Sequence, residues 1–480
     1  MVVIESFRMN VLVITPPKCA SFDEVITHKI DKWIINLVDR DALVCCTIFE
    51  KYYGRCVYLP LNLLFPYFCG GEKDINEITN KIIGFNFDLI VFIISYLNEG
   101  TMFFSVMEIM KQCNNLGIKN ENAIILGNYP SYEKGKLLHS GYKFIGTMND
   151  FYEHISKKEH VNINSSSYVP AYEKILPYLD VITYHSTGKL NLGLRTSFGC
   201  PYKCIFCSTS STHKIMEYID PKVLCEEIIK IDKLFDLKNI HFDCILDDEF
   251  GLDLNRFDLY VSILKKYKIK VDYVLMRADT VLNLKNKMDE LKDITNYILI
   301  GVENCEDSIL NIANKEQTFE EVLKAIFLLK NSGIKTHLNW IIGLPGESNK
   351  SLYTNIKTMT FLLRTGLADE IEPQLLVPFP WTTLFRKKDE YKMNLITENP
   401  LMFNEKGIDC IFSYENLTNY TLEKWYLLAL YLCSTIGRER WDKIRLKKVL
   451  DCGSGLFLKK IKESYDYSDY SALEKIFEEK

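Results

Sequence analysis

Long hydrophobic runs are missing from this chain of 480 residues. The most apolar stretch, Phe87 to Leu97, is too short for a bilayer and carries Asp88, so no membrane span is expected. The opening residues, Met1-Val2-Val3-Ile4-Glu5-Ser6-Phe7-Arg8, lack the charged, apolar and small-residue order of a signal peptide. An excess of one charge is missing too. The 58 basic and 63 acidic side chains leave a net charge of −5, which excludes a whole-surface nucleic-acid binder. No nucleic acid is expected as partner. With 47% hydrophobic and 25% charged residues, the composition is that of a globular protein and excludes general disorder. At roughly 100–200 residues per domain, the length suggests about three domains.

Cysteine, by contrast, is plentiful, at 15 residues. Without an export signal these point to the reducing cytoplasm, where thiols are buried or bind metal rather than form a disulfide framework. Most are scattered between Cys19 and Cys452 and are expected to be small buried hydrophobes. Three are not scattered. Cys200-Pro201-Tyr202-Lys203-Cys204-Ile205-Phe206-Cys207 has C-x3-C-x2-C spacing. At this cysteine frequency such a triplet arises by chance in roughly one chain in seventy, so the spacing calls for a reason.

Alternating strands and helices surround it. Short apolar runs at Val11 to Ile14, Cys56 to Leu59, Leu89 to Ser95 and Ala123 to Leu126 read as parallel strands covered on both faces. A helical pattern from Thr101 to Leu116 ends at Gly117. The expected fold is α/β throughout. A doubly wound, Rossmann-like domain (1–155) comes first, binding ligands beyond its strand ends. A polar connector (156–190) follows. A second βα series (191–395), with strands at Leu192 to Ser197, Ile240 to Leu246, Val271 to Met276, Ile298 to Val302, Thr336 to Ile342 and Glu372 to Val377, suggests a partial (β/α)6 TIM-type barrel. A small helical region (396–480) closes the chain. Its aromatics Trp425, Tyr426, Tyr431 and Trp441 stand in a helical setting that favours core packing.

Thiolates suit zinc, copper(I) or iron–sulfur centres. A structural zinc would want a fourth close ligand, and none is adjacent in sequence. Three thiolates on a four-iron cluster instead leave one iron open to a ligand. Zinc, or three buried thiols without metal, remain the alternatives.

The cysteine loop resembles that of the radical S-adenosylmethionine (SAM) enzymes. The resemblance implies that Cys200, Cys204 and Cys207 hold a 4Fe-4S cluster and that Phe206 packs near the adenine of SAM. It continues over about 200 residues. Asp247, Asp248 and Glu249, in Ile245-Leu246-Asp247-Asp248-Glu249-Phe250, stand where the family contacts the methionyl amino group, which needs acceptors. Arg277 stands where relatives place a basic residue near the ligand carboxylate. Glu303, in Gly301-Val302-Glu303-Asn304, matches a strand-end carboxylate near the ligand, and Gly343 opens a Gly-Leu-Pro-Gly-Glu loop whose glycines allow close approach. The implied chemistry is one-electron cleavage of SAM to a 5′-deoxyadenosyl radical that abstracts hydrogen, with an external flavodoxin- or ferredoxin-like reductant and a small-molecule or peptide substrate. Two departures stand out. Phe198 occupies a position where relatives often have arginine, and Trp381 one where many have glycine; Trp381 either shapes a substrate pocket or packs as an aromatic.

The first 140 residues or so resemble the cobalamin-binding domain of one large radical SAM class. The resemblance rests on Val11 to Pro17, Phe87 to Leu97, and Leu126-Gly127-Asn128-Tyr129-Pro130-Ser131. It implies cobalamin as a further cofactor, with Tyr96, Leu97 and Asn98 as corrin neighbours and Gly127, Asn128 and Tyr129 along the nucleotide-tail groove. The Asp-x-His-x-x-Gly motif that supplies a cobalt ligand elsewhere is absent. The implied activity is cobalamin-dependent methylation of an unactivated carbon. The alternative is a non-methylating radical reaction, such as an epimerisation or rearrangement, beside a degenerate N-terminal domain. A third possibility is a zinc or cluster protein that is not an enzyme.

Overall fold

The structure is a computed structural model. It describes residues 9–17, 38–65, 68, 71–94, 99–137, 140–182, 188–213, 215–399, 402–403 and 409–436. The chain divides into two compact units. Unit 1 comprises Met1–Thr196 and Glu217–Asp243; unit 2 comprises Ser197–Met216 and Cys244–Lys480.

Unit 1 is built on a five-stranded parallel sheet. Its strands are β1 (Val11–Thr15), β2 (Cys56–Pro60), β3 (Leu89–Ile93), β4 (Ala123–Leu126) and β5 (Phe144–Gly146), in the order β2-β1-β3-β4-β5. The first four are the apolar runs of the sequence, and they are continuous because helices cover both faces. β5 lacks such a run and takes its place by pairing Phe144, Ile145 and Gly146 with Ile124, Ile125 and Leu126. The strand order reverses between β1 and β3, the position at which open α/β sheets bind ligands. The expected helix is found at Glu99–Asn115, and Gly117 follows it at φ +93°.

The polar segment expected as a connector carries short helices and is tied to unit 1. The helix Met148–Glu159 runs across its expected start. Thr47 Oγ1 donates to the Val169 carbonyl at 2.8 Å, and Lys174 Nζ donates to the Cys56 carbonyl at 2.9 Å. The helix Pro221–Phe235 also belongs to unit 1. Its Glu227 forms a fully buried ion pair with Arg40 at 2.6 Å and accepts from Tyr172 Oη at 2.8 Å. Each partner lies in a different stretch of sequence, which is why no local pattern announces the return of this helix to unit 1.

The helix Arg40–Tyr52 is capped by Asp39, which accepts from Ala42 N at 3.0 Å. Burial, then the neighbouring charge of Asp41, pushes the Asp39 carboxyl up to about 6 from 3.8. A raised carboxyl binds its proton more tightly folded than unfolded. Its stabilisation is therefore fully present below about pH 4 and is lost as pH rises through 6. Asp39→Asn keeps an oxygen for the cap and removes the titration. The expected result is a flatter urea-stability profile between pH 4 and 7, with a gain on the order of 2 kcal/mol at pH 7, discounted for partial exposure. Parallel profiles for the two proteins would contradict it.

The second sheet has the strand order β13-β12-β11-β10-β9-β6. It comprises β6 (Leu190–Leu194), β9 (Ile240–Ile245), β10 (Val271–Met276), β11 (Thr295–Glu303), β12 (Lys335–Ile342) and β13 (Glu370–Leu375). These match the six strands expected for a partial barrel. Two-residue strands β7 (Ser197–Phe198) and β8 (Glu217–Tyr218) stand before and after the cysteine loop in sequence. The division between units falls inside β9.

In unit 2, β10 to β13 are all parallel. On β12, Thr336, Leu338, Trp340 and Ile342 are fully buried, while His337, Asn339 and Ile341 alternate with them and are partly open. Trp340 meets Phe319 of the helix Phe319–Asn331, so the buried face is the one the helices cover. The short antiparallel pair β14 (Asn394–Leu395) and β15 (Phe412–Ser413) precedes the helix Asn419–Ile436. Trp425, Tyr426 and Tyr431 on that helix are buried, in line with core packing; Trp441 lies outside the described residues. Among the described residues, no helix is long and apolar enough to cross a membrane.

Candidate functional site

The cysteine loop of unit 2 follows β7 and begins at Gly199, whose φ of +85° suits glycine. A Cβ there would sit 2.5 Å from the Ile215 carbonyl and 2.8 Å from that of His213. Both obstacles are backbone, so a side chain would force the loop to move. Gly199→Ala is expected to cut iron incorporation sharply and to cost about 1–2 kcal/mol from backbone conformation alone. Iron analysis beside a urea melt measures both effects, and normal iron content in a folded variant would count against this reading.

The loop is held on several sides. Cys200 N donates to the His213 carbonyl at 3.0 Å, and Ile205 N to the Ala313 carbonyl at 3.0 Å. Asn314 Nδ2 donates to the Lys203 carbonyl at 2.9 Å. From the other direction, Leu384 N donates to the Ile205 carbonyl at 2.9 Å. Ser210 Oγ donates to the Cys204 and Cys207 carbonyls at 2.7 and 2.9 Å.

All three cysteines are free thiols, and Cys204 is buried. Burial pushes the Cys200 thiol up to about 12 and the Cys207 thiol up to about 11, so both keep their protons unless a metal displaces them. Backbone N–H groups oppose this cost in part: that of Tyr202 at Cys200, and those of Ser210 and Thr209 at Cys207. Lys315 and Arg277 oppose the burial cost at Cys204 with positive charge. Three free thiols in one short loop, with the cations Lys315 and Arg277 favouring the thiolate at Cys204, form a donor set that fits an anionic iron–sulfur cluster.

The acidic run after β9 ties this loop down. Asp247 accepts from Ser197 N at 3.0 Å and Ser197 Oγ at 2.7 Å. Asp248 accepts from Gly199 N at 3.0 Å and Thr209 Oγ1 at 2.7 Å. Glu249 accepts from Arg277 N at 3.0 Å and Thr280 Oγ1 at 2.5 Å. Burial lifts the Glu249 carboxyl to about 7, against these two donors. Arg277 is equally occupied. Its guanidinium lies 3.7 Å from the ring centre of Tyr202, in the cysteine loop. It also donates to Asp279 Oδ1 and to the carbonyls of Lys315 and Glu316, at 2.9, 2.7 and 2.8 Å. Each of these residues thus holds the loop or its walls.

Glu303 sits at a bulge in β11 with φ +66° and pairs with Lys315 at 2.8 Å, both side chains buried. Gly343 carries φ +103°, and a Cβ there would meet the Phe412 ring at 2.8 Å. Its carbonyl accepts from Tyr414 Oη at 2.9 Å, so the segment before the last described helix packs on this loop. Glu347 closes the same loop. It accepts from Gly343 N, Leu344 N and Asn304 Nδ2 at 2.7, 3.1 and 2.7 Å. Phe206 is half-buried between the second and third cysteines. Trp381 stacks on Phe379 at 5.1 Å, and its Nε1 donates to Ser208 Oγ.

Unit 2 therefore brings Cys200, Cys204, Cys207, Asp247, Asp248, Glu249, Arg277 and Glu303 into one bonded network. Sequence reasoning missed Lys315 and the roles of Glu347 and Asn304. Lys315 lies between Asn314 and Glu316, both with positive φ, and no motif marks it. In unit 1, Gly127 approaches Ile94 closely, with a would-be Cβ 3.0 Å from that side chain. Tyr129 is buried and lies 5.3 Å from Phe103, so it serves the core rather than lining an open groove. Tyr96, Leu97 and Asn98 lie outside the described residues.

With this geometry in view, residues 194–358 match the Radical SAM superfamily. This stretch is a radical SAM domain. The family implies a 4Fe-4S cluster and SAM as cofactors, and the matched stretch contains the three-thiol loop. The chain is 28% identical over 196 residues to the anaerobic magnesium-protoporphyrin IX monomethyl ester cyclase of Rubrivivax gelatinosus, covering 39% of this chain and 33% of that protein. The match thus spans about a third of that relative's length. Among solved structures, the chain shares its fold with the cobalamin-dependent SAM radical enzyme OxsB with aqua-cobalamin bound, at a TM-score of 0.62 and 14% identity, covering 97% of this chain and 74% of that one. It also shares the fold of the radical SAM methyltransferase TsrM from Kitasatospora setae, with cobalamin and a [4Fe-4S] cluster bound, at 0.57 and 13%, covering 98% of each chain.

Proposed function

We propose that this radical SAM enzyme is a cobalamin-dependent methyltransferase acting on an unactivated carbon. The observation that carries the reading is the pairing of a three-thiol loop in unit 2 with a parallel 2-1-3-4-5 sheet in unit 1. That sheet order suits a nucleotide-like ligand at the β1/β3 strand ends. Two proteins of the same fold, OxsB and TsrM, bind cobalamin.

When bound, the cluster supplies the electron that splits SAM, and cobalamin supplies the methyl group. Cys200, Cys204 and Cys207 would hold the cluster. Asp247, Asp248 and Glu249 would present acceptors to the SAM amino group, with Arg277 near its carboxylate and the Glu303 carboxylate elsewhere near the ligand. Phe206 and Gly343 would border the adenine side. In unit 1, Gly127 and Asn128 are the candidates for the cobalamin tail, and Tyr129 supports them by packing. The electron would come from an external flavodoxin- or ferredoxin-like reductant in the cytoplasm. The substrate would be a small molecule or a peptide.

Similarity to a cyclase favours a second reading, a non-methylating radical reaction in the same architecture. Anaerobic expression with cobalamin supplied separates the two. Near-stoichiometric corrin beside the cluster absorbance is expected for the methyltransferase. An intact cluster that takes up no corrin under cobalamin excess would leave the second reading standing.

A further inference from the structure

We propose that Trp381 is a positioning residue for the iron–sulfur cluster, acting through Ser208. The inference rests on the cluster reading above. It starts from an oddity of sequence: a large indole in Pro378-Phe379-Pro380-Trp381-Thr382-Thr383, far along the chain from the cysteines.

Trp381 is fixed from three directions. Its ring stacks on Phe379 at 5.1 Å with 20° between planes. Its carbonyl accepts from Arg386 Nη2 at 2.7 Å. Its Nε1–H donates to Ser208 Oγ, across 173 residues of sequence. The turn that carries it is rigid as well, because fully buried Thr382 donates from Oγ1 to the Phe379 carbonyl at 2.7 Å.

Ser208 directly follows the third cysteine. The two residues after it, Thr209 and Ser210, lie in the first turn of the helix Ser208–Thr212, whose N-cap is Cys207, and their backbone N–H groups oppose the burial of the Cys207 thiol. Hydrogen bonds to cluster sulfurs are one of the means by which a protein sets cluster potential. The direction of these two N–H groups depends on where Ser208 is held. The chain on either side of it is held by Ser210 Oγ on the Cys204 and Cys207 carbonyls and by Leu384 N on the Ile205 carbonyl. Trp381 adds the sideways anchor, and Leu384 comes from the same turn. The segment 378–386 is thus one jaw of a clamp whose other jaw is Ala313 and Asn314. A glycine at 381 would leave Ser208 without its indole donor.

Trp381→Phe keeps an aromatic ring for Phe379 and removes only the N–H. Ser208→Ala removes the acceptor. The test uses the full-length protein, reconstituted with iron and sulfide under anaerobic conditions. Cluster midpoint potential is followed by EPR-monitored titration, and iron loss by its rate to a chelator such as bathophenanthroline. Each variant is expected to hold a full cluster with a more negative potential, because looser N–H···S bonds stabilise the reduced, more anionic state less. Each should also lose iron several-fold faster. The double variant should be no worse than either single one, since both remove the same bond. Unchanged potential and unchanged iron loss in Trp381→Phe would overturn the proposal, as would fully additive effects in the double variant. Failure of the unaltered protein to take up iron would overturn the cluster reading itself, which is a separate result.

Discussion

Replacing any one of Cys200, Cys204 and Cys207 with serine is expected to give a folded protein without the iron–sulfur absorbance near 400 nm. Formation of 5′-deoxyadenosine should fall below detection. A hydroxyl keeps the size of the thiol but remains a poor ligand for soft iron–sulfide centres. The acidic residues that fasten the loop, Asp247, Asp248 and Glu249, offer hard oxygen donors and are poor substitutes for a lost thiolate. Iron and sulfide analysis gives the first reading, and single-turnover chromatography the second. Serine at Cys45 or Cys113, both buried in unit 1 outside the loop, should leave the iron content unchanged. Retention of four irons in all three loop variants would sink the assignment of these residues as ligands.

The second large effect is expected at Lys315. Lys315→Met removes a cation that pairs with buried Glu303 at 2.8 Å. Glu303 cannot swing to water easily, since it sits at a β-bulge with its side chain only 9% exposed. An uncompensated buried carboxylate costs about 3–5 kcal/mol, more than the pair itself contributes. Combining Lys315→Met with Glu303→Gln takes the stranded charge away. The double variant should recover most of the loss, which a urea melt of all four proteins would reveal as strong non-additivity. Simple addition of the two single effects would show that the pair is uncoupled. The same substitution withdraws one of the two cations that favour a thiolate at Cys204, so weaker cluster retention should accompany it.

Both effects concern residues of one network, yet they differ in how visible they are in sequence. The cysteines announce themselves by spacing, because three thiols within one short loop are rare by chance. Lys315 has no such marker. It is twelve residues from its partner, and only the bulge in β11 and the turns at Asn314 and Glu316 bring the two together. Trp381 was legible as an unusual residue, but its bond to Ser208 was not. The acidic run was legible as a strand-end motif. That its members also fasten the cysteine loop depends on Ser197, Gly199 and Thr209, 39 to 50 residues earlier.

By itself, then, the sequence determined the alternating strands and helices, the six-stranded second sheet and the gathering of three thiols in one loop. Each of these rests on local pattern: apolar runs covered on both faces, glycines at strand ends, and thiols at fixed spacing. Tertiary structure alone decided that the helix Pro221–Phe235 belongs to unit 1 through Arg40 and Glu227. It alone placed Tyr129 in the core, matched Lys315 to Glu303 and set Trp381 beside the cluster loop. Those choices rest on side chains meeting across long stretches of chain, where burial demands a partner for every charge and donor but sequence spacing does not say which one.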